Sequence, residues 1–168
     1  MANQSTRHNS NLSIVTRADV TAPTVIPRYT VRLVPGSCPA SPFVLVHDSI
    51  SAATALRPFF AGLDREQFLV CCLDAKHAII GVNVVSIGSL TLSIVHPREV
   101  FKPAILLNTS ALICAHNHPS GDPEPSSEDR ALTTRLRQAG DLLGITVLDH
   151  IILGDDRTYS FADRGWPT

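Results

Sequence analysis

Three short, nearly unbroken apolar runs limit most tightly what this chain can fold into. They are QFLVCCLD ending at Asp74, ALICAHNH ending at His118, and ITVLDHIIL ending at Leu153. Short runs that are apolar on alternate and intervening positions alike suit strands buried on both faces of a sheet. HAIIGVNVVSI and LTLSIV read as two further strands, joined by a turn near Gly88 and Ser89. The same stretch, residues 78–95, is apolar enough to raise the question of a membrane span. Its Asn83, Ser86, Gly88, Ser89, Thr91 and Ser93, set among Val and Ile, fit strands and a turn better than a spanning helix.

Helical patterns lie between these runs. Ser49 or Ser51 can cap a helix running through residues 52–63, which Pro58 should bend or shorten. Pro97 falls in the first turn of PREVFKPAILLN, with Glu99 near the positive end. PSGDPEP is a loop dense in turn residues. SSEDRALTTRLRQAG after it is the clearest helix, closed by Gly140 or Gly144. TYSFAD offers a last strand. This order predicts an α/β fold, a mixed β-sheet flanked by helices. The 168 residues have room for one such domain and a tail. The domain is expected over residues 28–168, starting with a short strand at YTVRLV and a loop at SCPASP. Residues 1–27 lack periodicity and read as a flexible extension.

Composition narrows the class. The chain is 44% apolar and 17% charged, ordinary for a soluble globular protein. A net charge of -1 lends no support to a protein that coats nucleic acid. The first forty residues do carry Arg7, Arg17, Arg28 and Arg32 against Asp19. A basic arm touching nucleic acid is one reading of them, and a solvated tail is the preferred one. None of the 4 cysteines forms a CxxC pair. Adjacent Cys71 and Cys72 would face opposite sides of a strand, so all four read as small apolar residues in a reducing compartment. MANQSTRHNSNLS lacks the apolar core of a secretory signal, and a cytoplasmic location is expected.

The chemistry concentrates in His116-Asn117-His118, followed by Ser126 and Asp129. On a strand, residues two apart face one side at a separation of about 6.6 Å. Two imidazoles so placed can converge on one ion with bonds of about 2.0–2.1 Å. The Pro- and Gly-rich loop turns the chain back and sets Asp129 in the first turn of the next helix. Its carboxylate can complete a trio. Three protein ligands leave one coordination position for water, the mark of a catalytic site, and zinc brings the pKa of such a water to about 7. Cys114 shares the parity of the histidines but lies about 13 Å from His118 along a regular strand. It reads as core beneath the site. Ser-x-x-Asp taken alone would be a helix capping box. Both roles are compatible, with Ser126 or Ser127 capping while Asp129 faces the metal.

These residues match the JAMM pattern, H-x-H-x7-S-x2-D, of the MPN-domain metallopeptidases. HNHPSGDPEPSSED, PREVFKPA and LDHIILG further resemble the RadC family, a branch of that group, from about Arg28 to Gly165. The resemblance implies a cytidine-deaminase-like (JAB/MPN) fold and one Zn2+ held by His116, His118 and Asp129. It also implies that Glu66, in DREQFLVCCLD, is the general acid and base. Without the family, Glu66 would be a surface residue at a helix end. Ser126, by resemblance, hydrogen-bonds the water or stabilises the oxyanion. Longer relatives carry a helix-hairpin-helix DNA-binding module, which the first forty residues here are too short and too polar to form. The chain therefore resembles the short RadC-like type of prophages and plasmids, and an old family association with DNA repair gains little support. The family's glycine–threonine reads Gly88-Ser89 here. His150, in LDHIILG, could be a fourth ligand or a base, but a hydrogen-bonded structural role is preferred. His47, His77 and His96 lack partners at useful spacing. Arg98 and Lys102 read as helix-surface charges.

The implied activity is hydrolysis of a peptide or isopeptide bond in a protein or peptide substrate. A metal-dependent nuclease is a second class, prompted by the letters His-Asn-His. HNH nuclease sites spread those residues over two strands and a helix, unlike this contiguous HNHPSG. A non-catalytic module binding protein or DNA is the third, although every motif position is present.

Overall fold

The computed structural model describes residues 44–88 and 95–167, together with the isolated positions Thr30 and Val34. The extension at residues 1–27, Cys38, the 29–34 strand and the SCPASP loop therefore fall wholly or largely outside the described residues, as do Ser89 and residues 90–94 of LTLSIV.

The chain runs α1 (Ser49–Leu56), a 3-10 turn (Arg57–Phe60), β1 (Gln67–Leu73), β2 (Ile79–Ile87), α2 (Pro97–Leu106), β3 (Ala111–Asn117), α3 (Ser127–Leu143), β4 (Thr146–Leu153), β5 (Thr158–Ser160) and α4 (Phe161–Arg164). Among the described residues, five strands form one mixed sheet in the order β2-β1-β3-β4-β5. Only β3 and β4 are parallel, and α3 is the crossover between them. β1 and β3 are buried along their whole length. Their alternate residues feed two cores. Leu69, Cys71, Leu73, Ile113 and Ala115 pack with Ala52, Leu56 and Phe60 from the α1 side. Phe68, Val70, Cys72, Leu112 and Cys114 pack with Val100, Phe101, Ala104 and Leu136 from α2 and α3. The expected mixed α/β sheet with helices on its faces is thus observed. None of the described helices is long and apolar enough to cross a membrane.

Local chemistry shifts some boundaries. α1 is capped by Asp48, whose carboxylate accepts from Ser51 N while the Ser51 hydroxyl serves the Asp48 backbone. Ser51 is thus the third residue of a capping box and not the cap. The helix stops at Leu56 because Pro58 cannot continue it, and residues 57–60 tighten into a 3-10 turn. TYSFAD divides after Ser160, whose hydroxyl caps α4 by accepting from Asp163 N, so only its first half is strand. α3 closes at Gly144, which takes the left-handed φ of 69° that a C-terminal glycine supplies.

One irregularity matters for the site. Leu112 pairs with Val147 and Ile113 with Asp149, so Leu148 is an extra residue in β4. By simple alternation Val147 and His150 would face opposite sides. The bulge restores His150 to the α3 face, opposite Cys114.

Candidate metal centre

His116 is the penultimate residue of β3 and fully buried, and His118 lies just beyond the strand, half-buried. Asp129 occupies the third position of α3, where the positive end of the helix favours a carboxylate. The loop between them closes tightly: Gly121 N donates to His118 O, and Gly121 adopts φ 81°.

His116 Nε2 stands 3.1 Å from His118 Nε2 and 3.1 Å from Asp129 Oδ1. His118 Nε2 stands 3.6 Å from Asp129 Oδ2. Among the described residues, these are the three His, Cys, Asp or Glu side chains whose donor atoms gather within 4.8 Å of one another. Donors held tetrahedrally at 2.0–2.1 Å from one ion lie about 3.3 Å apart. Both the spacing and the mix of two imidazoles with one carboxylate therefore suit a small divalent cation. The site can hold a metal ion.

The remaining polar atoms are also committed. His118 Nδ1 donates to the Asp122 carbonyl at 2.8 Å, which leaves Nε2 as the donor atom for a metal. Asp129 Oδ2 accepts from Ser126 N at 2.8 Å and from Ser126 Oγ at 2.6 Å, while Asp129 N donates back to Oγ at 3.1 Å. Ser126 is therefore the cap of α3, and in this arrangement its hydroxyl proton points at a ligand carboxylate. Burial opposes the charge on Asp129, but hydrogen bonds from His116 and His118 overcome it and hold the carboxyl far below the usual range. The hydrogen bond to Asp129 in turn raises His118 above an ordinary imidazole, against its burial.

Glu66 just precedes β1. Phe68 pairs with His116, so extending that antiparallel register by two residues puts Glu66 opposite His118 on the same face. Its charge contributes to the raised affinity of His118 for a proton. Gly88 N fixes its backbone by donating to Glu66 O at 2.8 Å.

Asn117, between the two histidines, faces the other side of the sheet. Its Oδ1 accepts from Gln67 N at 2.8 Å, and its Nδ2 donates to Arg65 O at 3.1 Å. It thus grips the chain on both sides of Glu66. Sequence reasoning treated this position as a spacer, and only the pairing of β1 with β3 reveals it. Cys114 is fully buried beneath the histidines, as expected, and burial raises its thiol well above the usual range. His47, His77 and His96 are exposed and join no cluster among the described residues.

His150 is fully buried, and desolvation pushes it well below an ordinary imidazole. Its Nε2 lies 2.9 Å from His116 Nδ1 and its Nδ1 lies 2.6 Å from Thr133 Oγ1. It is a hydrogen-bonded neighbour of a ligand and not part of the ligand cluster. Asp149 holds this segment by accepting from His150 N, Ser160 Oγ and Ala162 N.

His118 also lines a cleft of about 350 Å³, with Phe60, Leu63, Pro119 and Asp155 on its walls. Arg57 borders it, with its guanidinium donating to the Gly154 and Asp155 carbonyls at 2.9 and 2.8 Å.

The sequence matches the RadC-like JAB domain over residues 46–166. The chain belongs to the RadC family. A UPF0758 protein of Desulfitobacterium hafniense (strain DSM 10664 / DCB-2) is 55% identical over 103 residues, covering 61% of this chain and 45% of the relative. One from Symbiobacterium thermophilum is 56% identical over 110 residues, covering 66% and 47%. Another, from Methanosarcina barkeri (strain Fusaro / DSM 804), is 50% identical over 113 residues, covering 67% and 49%. This RadC chain spans a little under half the length of the curated relatives it matches.

Proposed function

We propose that this RadC-like domain is a metal-dependent hydrolase of the JAMM type, with zinc as its ion, cleaving an amide bond in a peptide or isopeptide. One observation carries the reading: the strand register sets an acid, Glu66, opposite one of three converging metal donors, beside a cleft. A purely structural site would have no use for a carboxylate outside the ligand set or for a cleft reaching a ligand.

Zinc bound by His116, His118 and Asp129 would supply Lewis acidity and a water acidified to near neutrality. Glu66 takes the proton of the attacking water and returns it to the leaving amine. Ser126 fixes the Asp129 carboxylate through its hydroxyl, and sharing the developing oxyanion is the further role this reading assigns to it. The cleft walls Phe60, Leu63 and Pro119 give an extended peptide an apolar seat beside His118.

Elemental analysis of purified protein, wild type beside His118→Ala, tests the metal. One equivalent of zinc is expected in the first and none in the second. Hydrolysis of a fluorogenic peptide library and of isopeptide-linked lysine conjugates then tests the reaction. Glu66→Gln should keep its zinc and lose turnover. Undiminished turnover in that variant would remove Glu66 from the mechanism, and zinc bound equally by His118→Ala would refute the ligand set.

A further inference from the structure

The cleft that reaches His118 combines apolar walls with one uncommitted charge. Phe60, Leu63, Pro119 and Leu153 supply the apolar surface, and Asp155 supplies an exposed carboxylate. The cations nearby are already engaged. The Arg57 guanidinium donates to the main-chain oxygens of Gly154, Asp155 and Arg157, which ties it to the backbone of residues 154–157. Arg157 faces Asp122 at 3.6 Å and Asp156 at 3.9 Å. Among the described residues, no hydrogen bond or ion pair takes up the Asp155 carboxylate. Its place is nonetheless fixed. Asp155 N donates to Gly121 O at 3.2 Å, and Gly154 N donates to Arg157 O at 3.0 Å. A Cβ at Gly121 would overlap the Asp155 carboxylate, so the glycine leaves the room it occupies. Gly121 also has φ 81°, which a glycine adopts freely. Two adjoining loops thus hold an acid in the wall of the cleft without neutralising it.

We propose that this cleft is a subsite for a lysine or arginine side chain of the substrate, with Asp155 as the residue that sets the preference. The inference rests on the hydrolase reading and narrows its substrate class to an extended peptide with a basic residue flanking the scissile bond. Lysine and arginine lay an apolar stem along apolar surface and keep a charged tip near water. The cleft has the matching form, apolar walls and a carboxylate open to solvent. An aliphatic side chain would gain the walls alone, and an acidic one would be repelled by Asp155. A volume of about 350 Å³ lies near the lower end for ligand pockets, which suits one side chain and the backbone that carries it.

The test measures binding and cleavage separately in the whole protein. The probes are end-blocked alanine–lysine–alanine and its counterparts with norleucine or glutamate in the middle; norleucine keeps the stem and lacks the charge. Amide shifts of Gly154 and Asp155 in 15N-labelled protein report occupation of the cleft. The lysine peptide should bind about three- to fivefold tighter than the norleucine peptide, as suits an ion pair open to water on one side, and the glutamate peptide should bind weakest. The preference should shrink in about 1 M salt. Asp155→Asn should bring the lysine and norleucine peptides level. Asp155→Lys should turn the preference toward glutamate, a reversal that a merely loosened loop would not produce. Equal binding of lysine and norleucine peptides by wild type overturns the subsite. So does an undiminished lysine preference in Asp155→Asn, or a lysine peptide that leaves both amides unmoved. The same three peptides carrying a fluorogenic amide report cleavage, which should follow the binding order. A protein that cleaves none of them refutes the hydrolase reading instead, while the binding order still decides the subsite.

Discussion

Replacing Asn117 by Ala should destabilise the metal-free domain while leaving its metal ligands untouched. The side chain makes two hydrogen bonds, accepting from Gln67 N at 2.8 Å and donating to Arg65 O at 3.1 Å. Gln67 is buried, and without Asn117 its amide has no solvent to turn to. A buried donor left unpaired costs about 1–3 kcal/mol, and the second lost bond adds about 0.5–1.5 kcal/mol. The sum, about 2–4 kcal/mol, corresponds to a fall on the order of 10 °C in melting temperature for a domain of this size. Urea unfolding with chelator present is the right assay, since bound metal would add its own linkage free energy and mask the difference. Hydrogen exchange gives an independent readout: the Gln67 amide should be protected in wild type and exchange quickly in the variant. Zinc stoichiometry should stay at one, because His116 and His118 do not lean on this amide. An unfolding free energy within about 0.5 kcal/mol of wild type, with Gln67 still protected, would show that the grip on the Glu66 segment is not a real feature of the fold.

Other perturbations separate packing from protonation. Gly140→Ala should cost about 1–2 kcal/mol in urea unfolding: a helical Gly→Ala change usually gains up to about 1 kcal/mol, but this Cβ would meet the Ile145 carbonyl at 2.5 Å and Val147 Cγ2 at 3.1 Å. A gain in stability there would contradict the close approach of α3 to β4. Ser126→Ala should cost about 0.5–2 kcal/mol as a lost cap and should also weaken zinc binding, as read by chelator competition, since Asp129 Oδ2 loses its closest partner. pH should act on the metal-free and metal-loaded forms with opposite signs. His118 is raised, chiefly by Asp129, so it stabilises the metal-free fold below about pH 6.5, and that contribution fades as pH rises through the folded value. Asp129 is lowered, so its contribution holds above the ordinary carboxylate range and disappears only in strong acid. Zinc competes with the His118 proton, and its affinity should climb over the same interval in which the metal-free protein loses stability. Affinity independent of pH there would mean that His118 Nε2 is not a ligand.

What could be read from the sequence was whatever the chain brings together locally. His116, His118 and Asp129 share a single strand–loop–helix passage, so a period of two and a first helical turn are enough to aim them. Thr133 was within reach by the same logic, four residues after Asp129 on one helix face, but nothing marked it until its partner was known. That partner, His150, was hidden by a bulge: alternation from Val147 sends it to the wrong face, and the extra residue at Leu148 returns it. Glu66 and Asn117 depend on the pairing of β1 with β3, a contact across about fifty positions that periodicity does not encode. The resemblance supplied Glu66 and was silent on Asn117. The boundary errors at residues 57–63 and 161–163 have a common origin, since Pro58 and the Ser160 cap decide where backbone hydrogen bonds can continue.

This division of labour makes the two halves of the site separable. The candidate ligands His116, His118 and Asp129 and the hydrogen-bonded Thr133 and His150 behind them all lie on the β3–α3–β4 crossover, where the parallel pairing returns β4 beside β3. Glu66 enters from outside that unit, on the other flank of β3, and reaches the site only through the antiparallel register of β1 and the grip of Asn117. Substitutions in the crossover should therefore change metal affinity, whereas substitutions at the β1 edge should change what the bound metal can do while leaving its affinity alone. A protein with the crossover intact and β1 out of register would keep the cluster that can hold a metal ion and would lack the carboxylate proposed as its proton carrier. The two side-chain hydrogen bonds of Asn117, which lies between His116 and His118, tie those halves together on both sides of Glu66, and a one-residue slip of β1 would move Glu66 to the opposite face of the sheet.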